Sequence, residues 1–158
     1  DVMFQRLRPF LPTTWKNNKI VSLNERLRFL RYDPGQRFEP HYDGMFMREH
    51  GPKAGERSYI TVQLYLNEGF EGGETTFLSE NGRVPVAYVP EIGSVLIFQH
   101  RLLHEGSAVR SGRKYTIRTD VMYRPRIGRL GMIATTLTIA GLVLLGVTRY
   151  SQRAGAAQ

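Results

Sequence analysis

The sequence predicts a mainly β domain, a sandwich or barrel of about eight short strands. Three observations carry that prediction. Runs rich in β-branched and aromatic residues recur between turns built on glycine and proline. Two of these runs alternate polar and apolar residues with a period of two, as half-buried strands do. The length of 158 residues suits one domain with a real core better than two.

Taken in order, "FQRLRPFLP" (4–12) reads as a short helix that ends before Pro12. "ERLRFLRY" (25–32) alternates and stops at the turn "DPGQ", and "RFEPHYD" (37–43) follows as a second extended piece. "SYITVQLYL" (58–66) is strongly β and is bounded by "NEGFEGGE". Further strands are expected over 75–78, 84–89, 94–98, 103–109 and 114–123. In 59–66, Tyr59, Thr61, Gln63 and Tyr65 share one face and Ile60, Val62, Leu64 and Leu66 the other. In 114–123, Lys114, Thr116, Arg118 and Asp120 lie opposite Tyr115, Ile117, Thr119, Val121 and Tyr123. Such polar faces meet solvent in an ordinary antiparallel sheet, or line a wet cavity inside a barrel. Periodicity leaves both open.

Composition narrows the function classes. The chain has no cysteine, which excludes disulfides, thiolate-bound metals and thiol catalysis. The net charge of +8 resembles a polyanion-binding signal until it is divided along the chain. Residues 124–158 hold five arginines and no acid, so residues 1–123 carry 17 bases against 14 acids. A nucleic-acid partner is therefore not expected of the main domain. The chain begins at Asp1 and not at methionine, and is expected to be a fragment or a trimmed product.

The boundary falls after residue 123. Residues 124–158 read as a basic linker followed by "LGMIATTLTIAGLVLLGVT" (130–148), nineteen residues without a charge. As a helix this segment would be roughly 28 Å long, close to the hydrocarbon thickness of a bilayer. It is expected to be a hydrophobic helix forming a single-pass C-terminal membrane anchor. Arginines flank both ends and slightly favour a cytoplasmic catalytic side, with the lumen of the endoplasmic reticulum as the alternative.

The chemistry centres on three residues. His41 and Asp43, two apart in an extended segment, project from one face. An H-x-D pair alone is a weak motif. Its weight comes from His104, at the start of an expected strand, and from Lys114 ten residues later. Two histidines and a carboxylate make a three-ligand face on an octahedral metal and leave three positions open, as in non-haem Fe(II) oxygenases. A lysine on the next strand can hold an anionic cosubstrate by its far carboxylate. His50 and His100 match no ligand position, Asp120 reads as a partner for Arg118 or a neighbouring cation, and Gly72-Gly73 as a turn before a strand.

With these residues in view, the chain resembles the catalytic domain of the prolyl 4-hydroxylase-like, 2-oxoglutarate- and Fe(II)-dependent dioxygenases. "RYDPGQRFEPHYDG" is similar to that family's first-ligand segment, and "LYLNEGFEGGETTF" to its Y-L-N and G-G-E-T elements. "PEIGSVLIFQHRLLHEGSAVRSGRKYTIRTDVMY" is similar to its segment from second histidine to lysine. The resemblance spans about Leu23 to Tyr123 and implies a double-stranded β-helix, a jelly-roll or cupin-like barrel whose polar interior holds the cosubstrate. It implies His41, Asp43 and His104 as iron ligands, and Lys114 as partner of the distal carboxylate of 2-oxoglutarate. Tyr65, Tyr32 and Thr116 would line the same pocket. Implied cofactors are Fe(II), 2-oxoglutarate and O2, with ascorbate as reductant. The implied reaction is hydroxylation of a peptidyl residue, proline foremost, with succinate and CO2 as coproducts.

The part before Leu23 is short, so the helices that usually buttress this barrel are expected to be cut off or reduced, and 45–58 is expected to be a mobile flap over the mouth. Alternatives are an oxygenase acting on nucleic acid or a small molecule, and a non-catalytic, membrane-tethered binding module. A zinc hydrolase lacks a third histidine and a general-base motif.

Overall fold

Asp1 caps the first helix: its carboxylate accepts the Phe4 amide at 3.2 Å. The helix, α1 (Val2–Leu7), passes into a 3-10 turn over Arg8–Phe10. The helix expected over 4–12 thus starts earlier and stops sooner. Pro9 lacks the N–H that a further helical turn would need. The computed structural model describes residues 1–79, 81 and 84–126, and the account concerns those. The hydrophobic segment 130–148, and with it the expected C-terminal helix, lies outside them. Among the described residues no helix is long and apolar enough to cross a membrane.

The strands are β1 (Thr14–Trp15), β2 (Asn18–Leu23), β3 (Arg28–Tyr32), β4 (Phe38–His41), β5 (Arg57–Tyr65) and β6 (Glu71–Gly72). They continue as β7 (Thr75–Phe77), β8 (Val86–Tyr88), β9 (Val95–Gln99), β10 (His104–Gly106), β11 (Val109–Ser111) and β12 (Lys114–Pro125). Two departures from the sequence reading have physical causes. β3 begins at Arg28 rather than at residue 25 because the Asn24 side chain accepts the Arg26 amide at 3.1 Å and turns the chain there. The strand expected over 103–109 is two strands, since β10 pairs with β4 and β7 while β11 pairs with β6. The β1–β2 hairpin was not foreseen; Lys16, at φ 50, makes its tight turn.

β1, β2, β12, β5 and β9 are hydrogen-bonded in that order, and β3 joins the same sheet by pairing with the first half of β12. A second sheet runs β4-β10-β7-β8. The described residues thus form a mainly β fold with curled sheets behind a short N-terminal helix, consistent with a double-stranded β-helix.

The alternation on β5 and β12 decides which face goes where. Ile60, Val62, Val121 and Tyr123 pack with Phe4, Leu11, Ile20 and Leu23 into the hydrophobic core. Full burial of such a side chain contributes about 1.5–3 kcal/mol, so this cluster holds the helix and the β1–β2 hairpin onto the sheet. Tyr123 donates its hydroxyl to the Pro12 carbonyl at 3.0 Å. The opposite, polar face turns inward: Thr61, Tyr65, Lys114, Thr116 and Asp120 are all buried. Of the two readings left open by periodicity, the lined cavity is the observed one.

The segment 45–58 is tied at its base. Ser58 accepts the Phe46 amide at 2.9 Å, and the Arg48 amide donates to the Glu56 carbonyl at 2.9 Å. Buried Glu56 takes Arg48 at 3.2 Å and Arg124 at 2.6 Å, while Arg48 and Lys53 both pair with Glu25. Those two cations hold the Glu25 carboxyl at about 2.

Two glycines with positive φ differ in what surrounds them. Gly72, at φ 75, ends β6, and a Cβ there would sit 2.3 Å from the Ala108 carbonyl oxygen. Gly93, at φ 78, has open space around the same position. Gly93→Ala should cost only the strain of a left-handed alanine, about 1 kcal/mol, whereas Gly72→Ala adds a backbone clash and should cost at least about 3 kcal/mol. Urea unfolding midpoints of the two variants check this; equal losses would mean the close approach is relieved without cost.

Candidate functional site

The site is built by register. His41 closes β4 and His104 opens β10, and the two stand directly opposite in the antiparallel pair, so their side chains share one face. Their ring centroids are 4.3 Å apart. Asp43 lies just past the end of β4, its amide bound to the His100 carbonyl at 3.0 Å, which aims the carboxylate back at the two rings. His41 Nε2 is 3.5 Å from Asp43 Oδ1, and His104 Nε2 is 3.8 Å from Oδ2. One ligating atom from each residue falls within 4.8 Å of the others.

The other ring nitrogens show that this cluster suits a metal ion. His41 Nδ1 is 2.8 Å from the Glu39 carbonyl oxygen and His104 Nδ1 is 2.9 Å from that of Leu102. A carbonyl oxygen only accepts, so both Nδ1 atoms carry protons. Each Nε2 is thereby left to face Asp43, as in metal-binding histidines whose other ring nitrogen is held by a backbone carbonyl. Burial, set between the Phe98 ring at 4.6 Å and the Phe77 ring at 6.1 Å, pushes the His104 pKa below its ordinary value and favours the neutral form. Two neutral imidazoles and one carboxylate suit Fe(II) and leave room for further oxygen ligands.

Behind the cluster the cavity runs between the sheets, lined by Tyr32, Gln63, Thr75, His104, Lys114 and Arg118 among others. At its closed end stands Lys114, 3% exposed. Its register partner on β3 is Tyr32, and its ammonium lies 5.3 Å from the Tyr32 ring and 5.4 Å from the Tyr65 ring. It donates to the Gly73 carbonyl at 2.7 Å. Burial pulls its pKa down to about 8, opposed only in part by Glu74. Tyr65 shares a hydrogen bond of 2.7 Å with Thr75, which joins the two sheets across the cavity. Thr116 Oγ1 is buried and has no hydrogen-bond partner in the protein. A buried hydroxyl and an ammonium with spare donors at one end fit an anion with several acceptor oxygens.

Of the seven residues singled out in the sequence, His41, His104, Tyr32 and Lys114 line this cavity; Asp43 groups with the two histidines, Tyr65 bonds to Thr75 in the cavity wall, and Thr116 is buried opposite Tyr65 in the sheet register. Several functional neighbours were not foreseen. Thr61 donates its hydroxyl to Asp43 Oδ2 and sits on the polar face of β5, so that alternation was the available signal. Asn67 donates to the Arg113 carbonyl and accepts the Tyr115 amide, both at 2.7 Å, and so clamps the start of β12 on either side of Lys114. Gly73 has its own role: a Cβ there would press on the Lys114 side chain at 3.2 Å. His100 and Asp120 form a buried pair at 3.4 Å beneath the cluster, and Arg118 reaches Asp43 at 2.6 Å. His50, by contrast, is exposed.

Comparison with known proteins agrees with this geometry. The 2OG-Fe(II) oxygenase superfamily matches residues 27–119. Probable prolyl 4-hydroxylase 10 of Arabidopsis thaliana is 34% identical over 120 residues, covering 61% of this chain and 41% of that protein. Prolyl 4-hydroxylase 13 of the same plant is 44% identical over 59 residues, covering 37% and 21%. The chain thus spans well under half the length of these relatives. Among solved structures, the viral collagen prolyl hydroxylase of Paramecium bursaria Chlorella virus-1, as its 2OG complex, aligns with a TM-score of 0.51 and 26% identity, covering 76% of this chain and 69% of that one. The matched span contains both histidines, the aspartate and the lysine, and on that ground the chain belongs to the 2OG-Fe(II) oxygenase superfamily.

Proposed function

We propose that this protein is an Fe(II)- and 2-oxoglutarate-dependent dioxygenase that hydroxylates a peptidyl residue, proline foremost, releasing succinate and CO2. One observation carries the reading. Two imidazole Nε2 atoms, both with tautomers set by backbone carbonyls, converge with a buried carboxylate at the mouth of a cavity whose far end holds a buried lysine. The choice of proline is supported by the relatives named above, which are prolyl hydroxylases.

In this reading His41, Asp43 and His104 hold the iron. The iron, when bound, supplies the oxygen chemistry that no side chain can. The residues do the rest. Lys114 fixes the distal carboxylate of 2-oxoglutarate, and the rings of Tyr32 and Tyr65 confine its carbon chain. Burial raises the pKa of both phenols, so they stay neutral hydrogen-bonding groups beside an anion. The cavity between the sheets keeps bulk water from the reacting centre. The C-terminal anchor belongs to the same proposal on the strength of the apolar run alone. Its test is alkaline extraction, with the full chain retained in the membrane fraction and a chain ending at Arg126 released.

The direct test is succinate release from 2-oxoglutarate with a panel of proline-containing peptides. His41→Ala, Asp43→Ala and His104→Ala should each abolish turnover and weaken Fe(II) binding by at least about a hundredfold. Full turnover in His104→Ala would remove that histidine from the metal.

Lys114 makes a second, pH-dependent prediction. Below about pH 8 the buried lysine is charged and available to a carboxylate. Above that value the free protein loses the proton, and anion binding must take it up again. The 2-oxoglutarate Kd should therefore be flat up to about pH 8 and then rise by about tenfold per pH unit toward the unperturbed lysine pKa. Lys114→Met should raise Kd by at least about a hundredfold and flatten this dependence. Calorimetric titrations at several pH values decide it, and an unchanged affinity in Lys114→Met would place the carboxylate elsewhere.

A further inference from the structure

Arg118 stands between two buried carboxylates. It projects into the cavity from β12, and its Nη2 is 2.6 Å from Asp43 Oδ1 and 3.9 Å from Asp120 Oδ1. The contact with Asp43 is tight; the one with Asp120 is loose. Asp43 and Asp120 are 8% and 5% exposed, and the Oδ1 atom of each has no hydrogen-bond partner in the protein; His100 Nε2 lies 3.4 Å from that of Asp120. Across the sheet Arg118 faces Arg28 on β3, a like charge that offers it nothing, and Gln63 on β5. Its counter-charges are the two aspartates.

A buried carboxylate needs a cation. Arg118 is the cation at Asp43, with Thr61 supplying a hydrogen bond to the other oxygen. A divalent ion arriving between His41, His104 and Asp43 takes over that role and repels the guanidinium. The second carboxylate, a short side-chain rotation away and under-satisfied, is where the displaced charge is best accommodated. We propose that Arg118 is a positioning residue that stands in for the metal at Asp43 and passes to Asp120 when the metal binds. The device keeps Asp43 paired and oriented in a buried setting before loading, and it lowers metal affinity in return. It rests on the reading of Asp43 as a metal ligand.

Mn(II) binding to the full chain, followed by the loss of the free-ion EPR signal, separates this from a merely structural role. Arg118→Gln removes the competitor: Mn(II) should bind about tenfold tighter or more, while the metal-free protein loses roughly 5 °C or more in Tm. Asp120→Asn removes the alternative seat: Mn(II) should bind more weakly, by about threefold or more. Arg118→Lys keeps the charge and should stay within about threefold of the wild type. A folded Arg118→Gln that binds Mn(II) no tighter than the wild type overturns the inference. If Arg118→Gln does not fold, Asp120→Asn decides alone, and unchanged affinity there overturns it as well. A wild-type chain that binds no Mn(II) overturns the metal-site reading itself, an outcome distinct from any difference among the variants.

Discussion

β12 is paired on both edges, with β5 along one side and with β3 and then β2 along the other. Its side chains therefore have no freedom of face. Even-numbered positions from Lys114 to Asp120 enter the cavity, and Val121 and Tyr123 enter the core behind it. A one-residue slip would exchange the two sets, taking Lys114 and Arg118 out of the cavity and turning Val121 and Tyr123 away from the core. The register holds because Asn67 clamps the strand's start and because Val121 and Tyr123 reward only one phase of the alternation. The cavity, its lysine and its arginine all follow from that one strand's position.

The second constraint is electrostatic. Asp43, Arg118, Asp120 and Lys114 are withdrawn from water within one small interior, where an unmatched charge is costly. Asp43 is matched by Arg118, and Asp120 only loosely by Arg118 and His100. Lys114 has aromatic faces and one backbone carbonyl in place of a carboxylate. The interior thus places a carboxylate between two imidazoles at one end and an ammonium at the other, groups suited to a cation and to an anion.

Much of this site was legible in the residues. The H-x-D spacing, the later histidine and the lysine ten residues beyond it pointed to a metal and an anion, and the resemblance to the 2-oxoglutarate dioxygenases gave those residues their roles. Thr61 could have been found the same way, from the polar face of β5. Asn67, Gly73 and the His100–Asp120 pair could not. Their roles arise from contacts between segments far apart in sequence, such as the 46 residues between Asn67 and Arg113. The β1–β2 hairpin escaped notice for a related reason. β2 is held mainly by its pairing with β12, and its residues show no clean alternation of their own.

What the sequence by itself determined is the identity of the chemistry: which side chains could bind a metal, which could bind an anion, and which residues of each strand share a face. Those are local properties of residue type and backbone period. What only the tertiary structure decided is how the polar faces are used. Alternation is the same whether a polar face meets water or lines a cavity, and the packing of Ile60, Val62, Val121 and Tyr123 against α1 and β2 selects the second. The tautomers of His41 and His104 and the division of Arg118 between two aspartates were likewise decided there. Each depends on distances across strands that meet only when the sheets close.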